Sequence, residues 1–275
     1  MCLLLLGYDV HPDVQWIVAA NRDEFYDRPT APLSFWEDFP DILAGRDLRE
    51  GGTWMGISLN GRFAAVTNYR DPASLKADAP SRGMLVRDFL LSDRCATDYL
   101  EALIPGMDRY NGFNLIAGDP QGLFYLGNRC GDMQAISPGW HGLSNRCLDT
   151  PFWPKTRRGM ERMQAIVRPG RSIDIPAIFD VLLDATQAPD NLLPDTGVGI
   201  EWERILSPIF ILSPGYGTRS SSILLLNRDG NLFFQEKTFR PGTYPKSSAS
   251  IVQYGPIPFD RRIHCPNPPQ APNGA

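Results

Sequence analysis

The chain opens with two apolar runs, Met1-Cys2-Leu3-Leu4-Leu5-Leu6 and Trp16-Ile17-Val18-Ala19-Ala20, and the second run leads directly into Asn21-Arg22-Asp23-Glu24. A turn at His11-Pro12-Asp13 separates the two apolar runs, and this pattern predicts a hairpin over residues 2–22. An antiparallel hairpin returns the end of its second strand to the start of its first. We therefore expect the polar cluster to lie beside Cys2.

Cys2 is the main candidate for chemistry. Removal of Met1 would leave a thiol nucleophile and an α-amine base on one α-carbon. An α-amine with a pKa of about 8 can accept the thiol proton directly or through one water. The polar cluster could orient this amine, and Arg22 could favour the thiolate. The alternative is an ordinary buried cysteine at the start of an inner strand.

Several motifs resemble one known family. Asn21-Arg22-Asp23-Glu24-Phe25, with Met1-Cys2 before it and Arg28-Pro29 after it, resembles the signature of the NRDE family, also called the transport and Golgi organisation 2 family. The resemblance covers about the first 240 residues in the same order. The further matching motifs are Gly45-Arg46-Asp47, Gly51-Gly52-Thr53-Trp54-Met55-Gly56, Thr67-Asn68-Tyr69-Arg70, Asn111-Gly112-Phe113-Asn114-Leu115, His141-Gly142-Leu143-Ser144-Asn145, Pro151-Phe152-Trp153-Pro154-Lys155 and Tyr216-Gly217-Thr218-Arg219-Ser220-Ser221.

The resemblance implies an α+β fold, the four-layer αββα sandwich of the N-terminal nucleophile (Ntn) hydrolases. Its nearest functional analogues resemble cysteine amidases that cleave penicillin V and conjugated bile acids. It thus implies hydrolysis of a linear, non-peptide amide through a thioester acyl-enzyme, with a small amide as partner. Eukaryotic relatives are instead associated with Golgi organisation and with haem or acyl-lipid handling, so a non-catalytic carrier is the alternative. A structural domain with a decayed cysteine site is a third hypothesis.

The carrier hypothesis has one sequence feature of its own. Within His264-Cys265-Pro266, the Cys-Pro dipeptide could present an axial thiolate to haem, although such a dipeptide in a Pro-rich segment can also be incidental. An enzyme would need Cys2, whereas a carrier that binds haem through Cys265 would not.

The resemblance also assigns site residues. The catalytic set is Cys2, Arg22, Asp23, Asn68, Asn145 and Arg219, with Asn21 and Trp54 as substrate-binding residues. The asparagines would stabilise an oxyanion, and Arg219 would bind a substrate carboxylate or favour the thiolate. Other interpretations stay open: asparagine is common in turns, an arginine at a strand start is usually solvated, and tryptophan usually packs in the core.

The orientation of the polar cluster is also open. In the amidases two residues separate the corresponding arginine and aspartate, whereas Arg22 and Asp23 are adjacent, and adjacent side chains on a regular strand point to opposite faces. Either a bulge turns one of them, or Asn21 and Asp23 share the active face.

Composition limits the remaining function classes. The 275 residues are 43% hydrophobic with a net charge of -4, which argues against nucleic acid as a partner. The leucine run is too short for a membrane span and lacks a basic leader. Five cysteines without a Cys-x-x-Cys pair predict free thiols in a reducing, cytoplasmic setting. Three scattered histidines and the absence of nucleotide motifs predict no metal site and no cofactor. The oligomeric state stays open.

The remaining pattern predicts strands and helices in a layered order, within a single domain over 1–262 and a disordered tail over 263–275. Residues 27–50 and 189–205 look irregular. The predicted strands are 54–58, 63–68, 113–118, 123–127, 220–226 and 232–238, and the predicted helices are 83–91, 96–103, 155–167 and 175–185.

Overall fold

The computed structural model describes residues 2–240 and 249–259. Thirteen strands and five α-helices lie in these ranges. The strands are β1 (Cys2–Tyr8), β2 (Val14–Phe25), β3 (Thr30–Phe35), β4 (Ile42–Asp47), β5 (Met55–Ser58), β6 (Arg62–Asn68), β7 (Phe113–Asp119), β8 (Gly122–Gly127), β9 (Gln134–Ala135), β10 (Gly139–Leu143), β11 (Tyr216–Asn227), β12 (Asn231–Phe239) and β13 (Ala249–Pro258). The helices are α1 (Gly83–Leu91), α2 (Ala96–Leu103), α3 (Pro154–Ile166), α4 (Ile175–Leu182) and α5 (Ile200–Leu206).

The strands form two antiparallel sheets. The first has the order β10-β1-β2-β11-β12-β13, and the second has the order β3-β4-β5-β6-β7-β8-β9. The predicted first hairpin is present as β1 and β2, in a register that pairs Cys2 with Arg22. The start of the chain and the polar end of β2 therefore meet inside the first sheet.

Side-chain alternation along β1 separates two apolar cores. Leu4 and Leu6 point into the core between the sheets, whereas Leu3 and Leu5 point into a second core against helices. Successive side chains of a strand point to opposite faces. Both faces of β1 are covered, so apolar residues are favoured at every position, which accounts for the continuous leucine run.

A helix pair covers each outer face. The apolar residues of α1 and α2 pack on the second sheet, and those of α3 and α4 pack on the first. The result is the four-layer αββα sandwich that the family resemblance implies, so the predicted α+β fold class is confirmed.

Two segments that look irregular in the sequence contain regular structure. Residues 27–50 include β3 and β4, and Pro32 fits within β3 because β3 is an edge strand that can leave a backbone N–H position unpaired. The 189–205 segment ends in α5, which begins directly after Gly199 at a positive φ of 83°. The short strands β9 and β10 and the strand β13 were also not predicted. The predicted tail, residues 263–275, lies outside the described residues.

Candidate active site

A cavity of about 250 Å³ opens where β1 begins and β2 ends. Both sheets and the loop before α1 contribute to its wall. The residues relevant to chemistry that line it are Cys2, Arg22, Asp23, Glu24, Arg28, Trp54, Asn68 and Arg82. Five of the eight predicted site residues are in this list.

Cys2 lines the cavity and is buried, with a relative exposure of 7%. Its carbonyl oxygen accepts a hydrogen bond from Ser144 Oγ at 3.0 Å, which fixes the first residue of β1 to the end of β10. Burial raises the pKa of the Cys2 thiol, and the positive charge of Arg22 opposes this shift. The resting thiol is therefore neutral, and nucleophilic attack needs a base.

The first sheet places Arg22 on the same side as Cys2. Residues paired across antiparallel strands share a face, and Ala20, two residues before Arg22, also points into the core between the sheets. The Arg22 guanidinium donates to Thr30 Oγ1 at 3.1 Å and lies 3.9 Å from the Glu24 carboxylate. Arg22 thus supplies a positive charge, fixed by Thr30 and Glu24, on the face of β2 that Cys2 shares.

Asp23 reaches the cavity from the helix side of β2. Its Oδ1 accepts from Thr218 Oγ1 at 2.7 Å, and its Oδ2 lies 3.7 Å from the Lys155 ammonium. Both charged groups are buried, with relative exposures of 1% for each residue. Burial raises the pKa of Asp23 and lowers the pKa of Lys155, and each charge opposes the shift of the other.

Asn21 shares the helix-facing side with Asp23 but lies away from the cavity. Its amide nitrogen donates to the carbonyl oxygens of Leu182 and Ile209 at 2.8 and 2.9 Å, and its oxygen accepts from Ser221. Since these bonds tie β2 to the end of α4 and to the segment before β11, we leave Asn21 out of the proposed site.

The structure shows which side chains of the polar cluster face Cys2. Arg22 faces Cys2, Asp23 faces the helices, and both line the cavity because it lies at the strand ends. A register shift does occur, but on β11 between Thr218 and Ser220, where Arg219 is the extra residue. The register of β2 against β1 is regular from Trp16 to Arg22.

The two predicted oxyanion asparagines have different positions. Asn68 lines the cavity at the end of β6. Asn145 is fully buried behind it, where its amide nitrogen donates to the Asn68 carbonyl at 3.0 Å and its oxygen accepts from Ser144 Oγ at 3.2 Å. The geometry places Asn68 within the cavity and Asn145 among the groups that hold it.

Trp54 and Arg219 complete the predicted set. Trp54 is half-buried in the cavity wall. Arg219 is absent from that wall, and its guanidinium donates to the carbonyl oxygens of Phe25 and Arg28 at 2.9 and 3.0 Å. Arg219 thus braces the turn between β2 and β3.

Several polar residues at the site were not assigned from the sequence. Lys155 and Thr218 contact Asp23, Ser144 holds Cys2, and Arg82 lines the cavity. Three of these lie in motifs quoted for the resemblance. Their positions in those motifs were visible, but their contact with the site depends on tertiary packing.

The cysteines differ from the expectation of five free thiols. Cys130 and Cys147 form a disulfide, whereas Cys2 and Cys95 are free and buried. The spacing of 17 residues carries no signature that sequence reasoning could use. Cys265 and the rest of the motif proposed for haem lie outside the described residues, as does Met1.

Two further features are absent from the described ranges, a metal-binding cluster and a membrane-spanning helix. No group of three or more His, Cys, Asp or Glu residues within 2–240 and 249–259 is placed to hold a metal ion. None of the described helices is long and apolar enough to cross a membrane.

The sequence matches one family over most of its length. The profile described as "Transport and Golgi organisation 2" matches residues 1–241. The "Transport and Golgi organization protein 2 homolog" of Bos taurus is 37% identical over 259 residues, which cover 86% of this chain and 93% of the bovine protein. The human homologue is 36% identical over 258 residues with the same coverage. The Drosophila melanogaster protein is 27% identical over 262 residues, 86% of this chain and 92% of its own.

Solved structures show a weaker likeness. A variant of the conjugated bile acid hydrolase from Clostridium perfringens has a TM-score of 0.47 and 11% identity, over 96% of this chain and 100% of that one. The Caenorhabditis elegans ortholog of N-acylethanolamine-hydrolyzing acid amidase has a TM-score of 0.42 and 9% identity, over 91% of this chain and 100% of that one. At these values the likeness carries no information about the chemistry of this chain.

Proposed function

The chain belongs to the transport and Golgi organisation 2 family, and on that premise we propose that it is an amidohydrolase with Cys2 as its nucleophile. The observation that carries the proposal is convergence. The Cys2 thiol, the Arg22 guanidinium, the Asp23 carboxylate and Asn68 line one cavity at the start of β1. A thiol, a positive charge, an amine-binding carboxylate and an amide are the groups that a cysteine amidase requires.

The proposed first step forms a thioester. After removal of Met1, the α-amine of Cys2 accepts the thiol proton, and the thiolate sulfur attacks the amide carbonyl carbon. Negative charge then develops on the carbonyl oxygen, where Asn68 would donate a hydrogen bond. The C–N bond breaks as the α-ammonium returns the proton to the leaving amine.

The second step regenerates the enzyme. The α-amine deprotonates a water whose oxygen attacks the thioester carbonyl, the C–S bond breaks, and the sulfur regains a proton as the carboxylic acid leaves. Arg22 lowers the cost of the thiolate throughout, because a nearby positive charge favours the ionised thiol.

Asp23 would hold the α-ammonium, and Lys155 would support Asp23. A carboxylate buried in the protein tends to take up a proton, and a neutral acid would bind an ammonium group poorly. The Lys155 charge opposes this protonation from 3.7 Å. Lys155 is therefore a positioning residue in the proposed mechanism.

The deciding experiment controls Met1. Protein expressed with methionine aminopeptidase inhibited would retain Met1, and intact mass would verify this. Amine release from a panel of linear N-acyl amides should then fall by about 100-fold or more, as expected for loss of a general base. Trimming the same preparation with purified aminopeptidase should restore activity. Full activity in protein proven to retain Met1 would rule out the α-amine mechanism.

The carrier hypothesis makes the opposite prediction about two cysteines. It requires that Cys265→Ala weakens haem binding and that Cys2→Ala leaves biological function intact. Haem titration of both variants by absorbance would detect that outcome, which would replace hydrolysis with the carrier function.

A further inference from the structure

We propose that the cavity contains an anion subsite centred on Arg82, and that the amide hydrolysed at Cys2 carries a carboxylate group. This inference rests on the proposed function for its reaction and on the charges of the cavity wall for its specificity. Four arginines and four acids line the cavity: Arg22, Arg28, Arg46, Arg82, Asp23, Glu24, Asp47 and Glu50.

Three of the four arginines have a carboxylate partner. Arg28 contacts Asp47 Oδ2 at 2.7 Å, and Arg46 forms a bidentate pair with Asp38 at 2.6 and 2.7 Å. Arg22 lies 3.9 Å from Glu24. Their charges are balanced within the protein.

Arg82 differs from these three. Its guanidinium donates to the Gly112 carbonyl at 2.9 Å, and no carboxylate of the described residues forms an ion pair with it. It is half-buried, so its charge has lost part of its contact with water, and this burial lowers its pKa. A bound anion would recover that lost stabilisation through the unused N–H groups of the planar fork.

The acids of the cavity are occupied or solvated. The Lys155 ammonium balances Asp23, Arg28 balances Asp47, and Glu24 accepts from the Phe25 backbone N–H beside Arg22. Glu50 is exposed at the rim, where water solvates its charge. Arg82 is thus the lining arginine that has no ion-pair partner among the described residues, although the charges of Glu24 and of an ionised Cys2 thiol partly oppose the effect of burial on its pKa.

The size and charge of the cavity favour a small carboxylate. At about 250 Å³ the cavity is below the usual range for drug-sized ligands, so a short acyl chain fits better than a large apolar one. Since Arg82 is the one lining arginine without an ion-pair partner among the described residues, the cavity suits a monoanion better than a doubly charged phosphate.

The test compares charged and neutral forms of one substrate. Glutaryl p-nitroanilide and its methyl ester differ in the terminal charge and in one methyl group, and N-pentanoyl-β-alanine with its amide places the charge difference on the amine side. In at least one pair, we expect kcat/KM to favour the acid by about tenfold, as for one charge-assisted pair. The preference should fall with added salt.

Arg82→Gln should lower kcat/KM for the acid substrate and so abolish the charge preference. Arg82→Lys should retain part of the preference. Arg87→Gln is the matched control, because Arg87 lies on α1, pairs with Asp88 and is absent from the cavity wall. Melting temperatures should accompany each variant, since Arg82 also holds the Gly112 carbonyl. Equal rates for acid and neutral substrates in the unmodified protein would overturn the subsite but leave hydrolysis standing.

A binding measurement separates the subsite from the reaction. Calorimetric titration of the Cys2→Ala protein with glutarate needs no turnover. Binding that Arg82→Gln weakens by at least fivefold supports the subsite even if no amide is hydrolysed. Absence of glutarate binding, or binding that Arg82→Gln leaves unchanged, would overturn it.

Discussion

Helices α1 and α3 cover opposite faces of the same sandwich with very different buried residues. The buried side of α1 is Leu85, Val86, Phe89 and Leu90, all apolar. The buried side of α3 is Lys155, Thr156, Gly159 and Met163. One helix follows the ordinary rule of packing, and the other buries a charge beneath the candidate nucleophile.

The buried charge on α3 is a place where the fold is less stable than an apolar contact would make it. A buried ion pair loses hydration that its mutual attraction repays only with good geometry, and apolar replacements are often more stable. The 3.7 Å separation of Lys155 and Asp23 is too long for a strong hydrogen bond. Stability alone therefore does not explain why α3 carries a lysine here, whereas the proposed support of Asp23 beside Cys2 would explain it.

The first prediction compares the two free cysteines, Cys2 in the first sheet and Cys95 beside α2. Cys2→Ala should abolish amide turnover while changing the free energy of unfolding by at most about 2 kcal/mol, since only a small side chain is lost. Cys95→Ala is the matched control, because Cys95 is also buried but lies at the N-cap of α2 in the other helix layer. Amine release and urea denaturation would measure both effects. Equal turnover in the two variants would contradict the site.

The second prediction removes the buried charge of α3. Lys155→Met should lower the free energy of unfolding by about 3–5 kcal/mol, because it removes the Lys155 positive charge from beside the buried Asp23 carboxylate. The double variant Lys155→Met with Asp23→Asn should recover much of that loss but stay inactive. Arg157→Met, on the exposed side of α3, should change stability by less than about 0.5 kcal/mol. Additive effects in the double variant would show that the two residues are not coupled.

The pH dependence of the Lys155→Met variant has a definite sign. Burial already raises the pKa of Asp23, and loss of Lys155 raises it further. The folded state then binds a proton more tightly than the unfolded state, so stability is lost as pH rises through the raised value. The deficit of the variant relative to the unmodified protein should be smaller at about pH 5 than at about pH 7.

The third prediction tests whether Arg22 favours ionisation of the Cys2 thiol. Arg22 opposes the raised pKa of the Cys2 thiol, so Arg22→Gln should raise that pKa further and slow alkylation of Cys2 at neutral pH by several-fold. Limiting iodoacetamide with peptide mass spectrometry over a pH series would measure the rate. In the unmodified protein, Cys2 should react before Cys95. Faster labelling at Cys95 would count against an activated Cys2.

The two helices also show how far the sequence alone can lead. The bounds predicted for α1 agree with the structure because its apolar residues recur at helical spacing. The α3 helix was predicted as well, but the burial of Lys155 was not, since a lysine in a helix is ordinarily solvated. Periodicity detects a helix and its apolar face, whereas a buried charge is fixed by a partner distant in sequence.

In the candidate site, too, local sequence patterns predict some features and distant contacts fix the others. The hairpin of β1 and β2 was predictable, and with it the pairing of Cys2 with the polar cluster. Which residue of the cluster faces Cys2 depends on register, because a shift of one residue exchanges the faces. The roles of Asn21 and Arg219 as braces depend on carbonyl groups of distant segments, which no local pattern identifies.

The fourth prediction, with the smallest change in activity, compares two buried threonines. Thr218 donates to Asp23 at 2.7 Å and accepts from the Ile211 N–H at 2.9 Å, whereas Thr156 donates to the Trp153 carbonyl within α3. Thr218→Val should cost about 1–3 kcal/mol of stability, since it leaves a buried N–H without a partner. It should also reduce turnover several-fold, because Asp23 loses a bond that favours its ionised form.

Thr156→Val makes the same change in side chain without touching Asp23, so it should leave turnover unaltered. Its stability should change less, because the Trp153 carbonyl also accepts a backbone bond from Arg157. Denaturation and amine-release assays on the pair would separate a lost hydrogen bond from a perturbed site. If both variants lost turnover in proportion to their stability, Thr218 would act only on packing and would not support the Asp23 carboxylate.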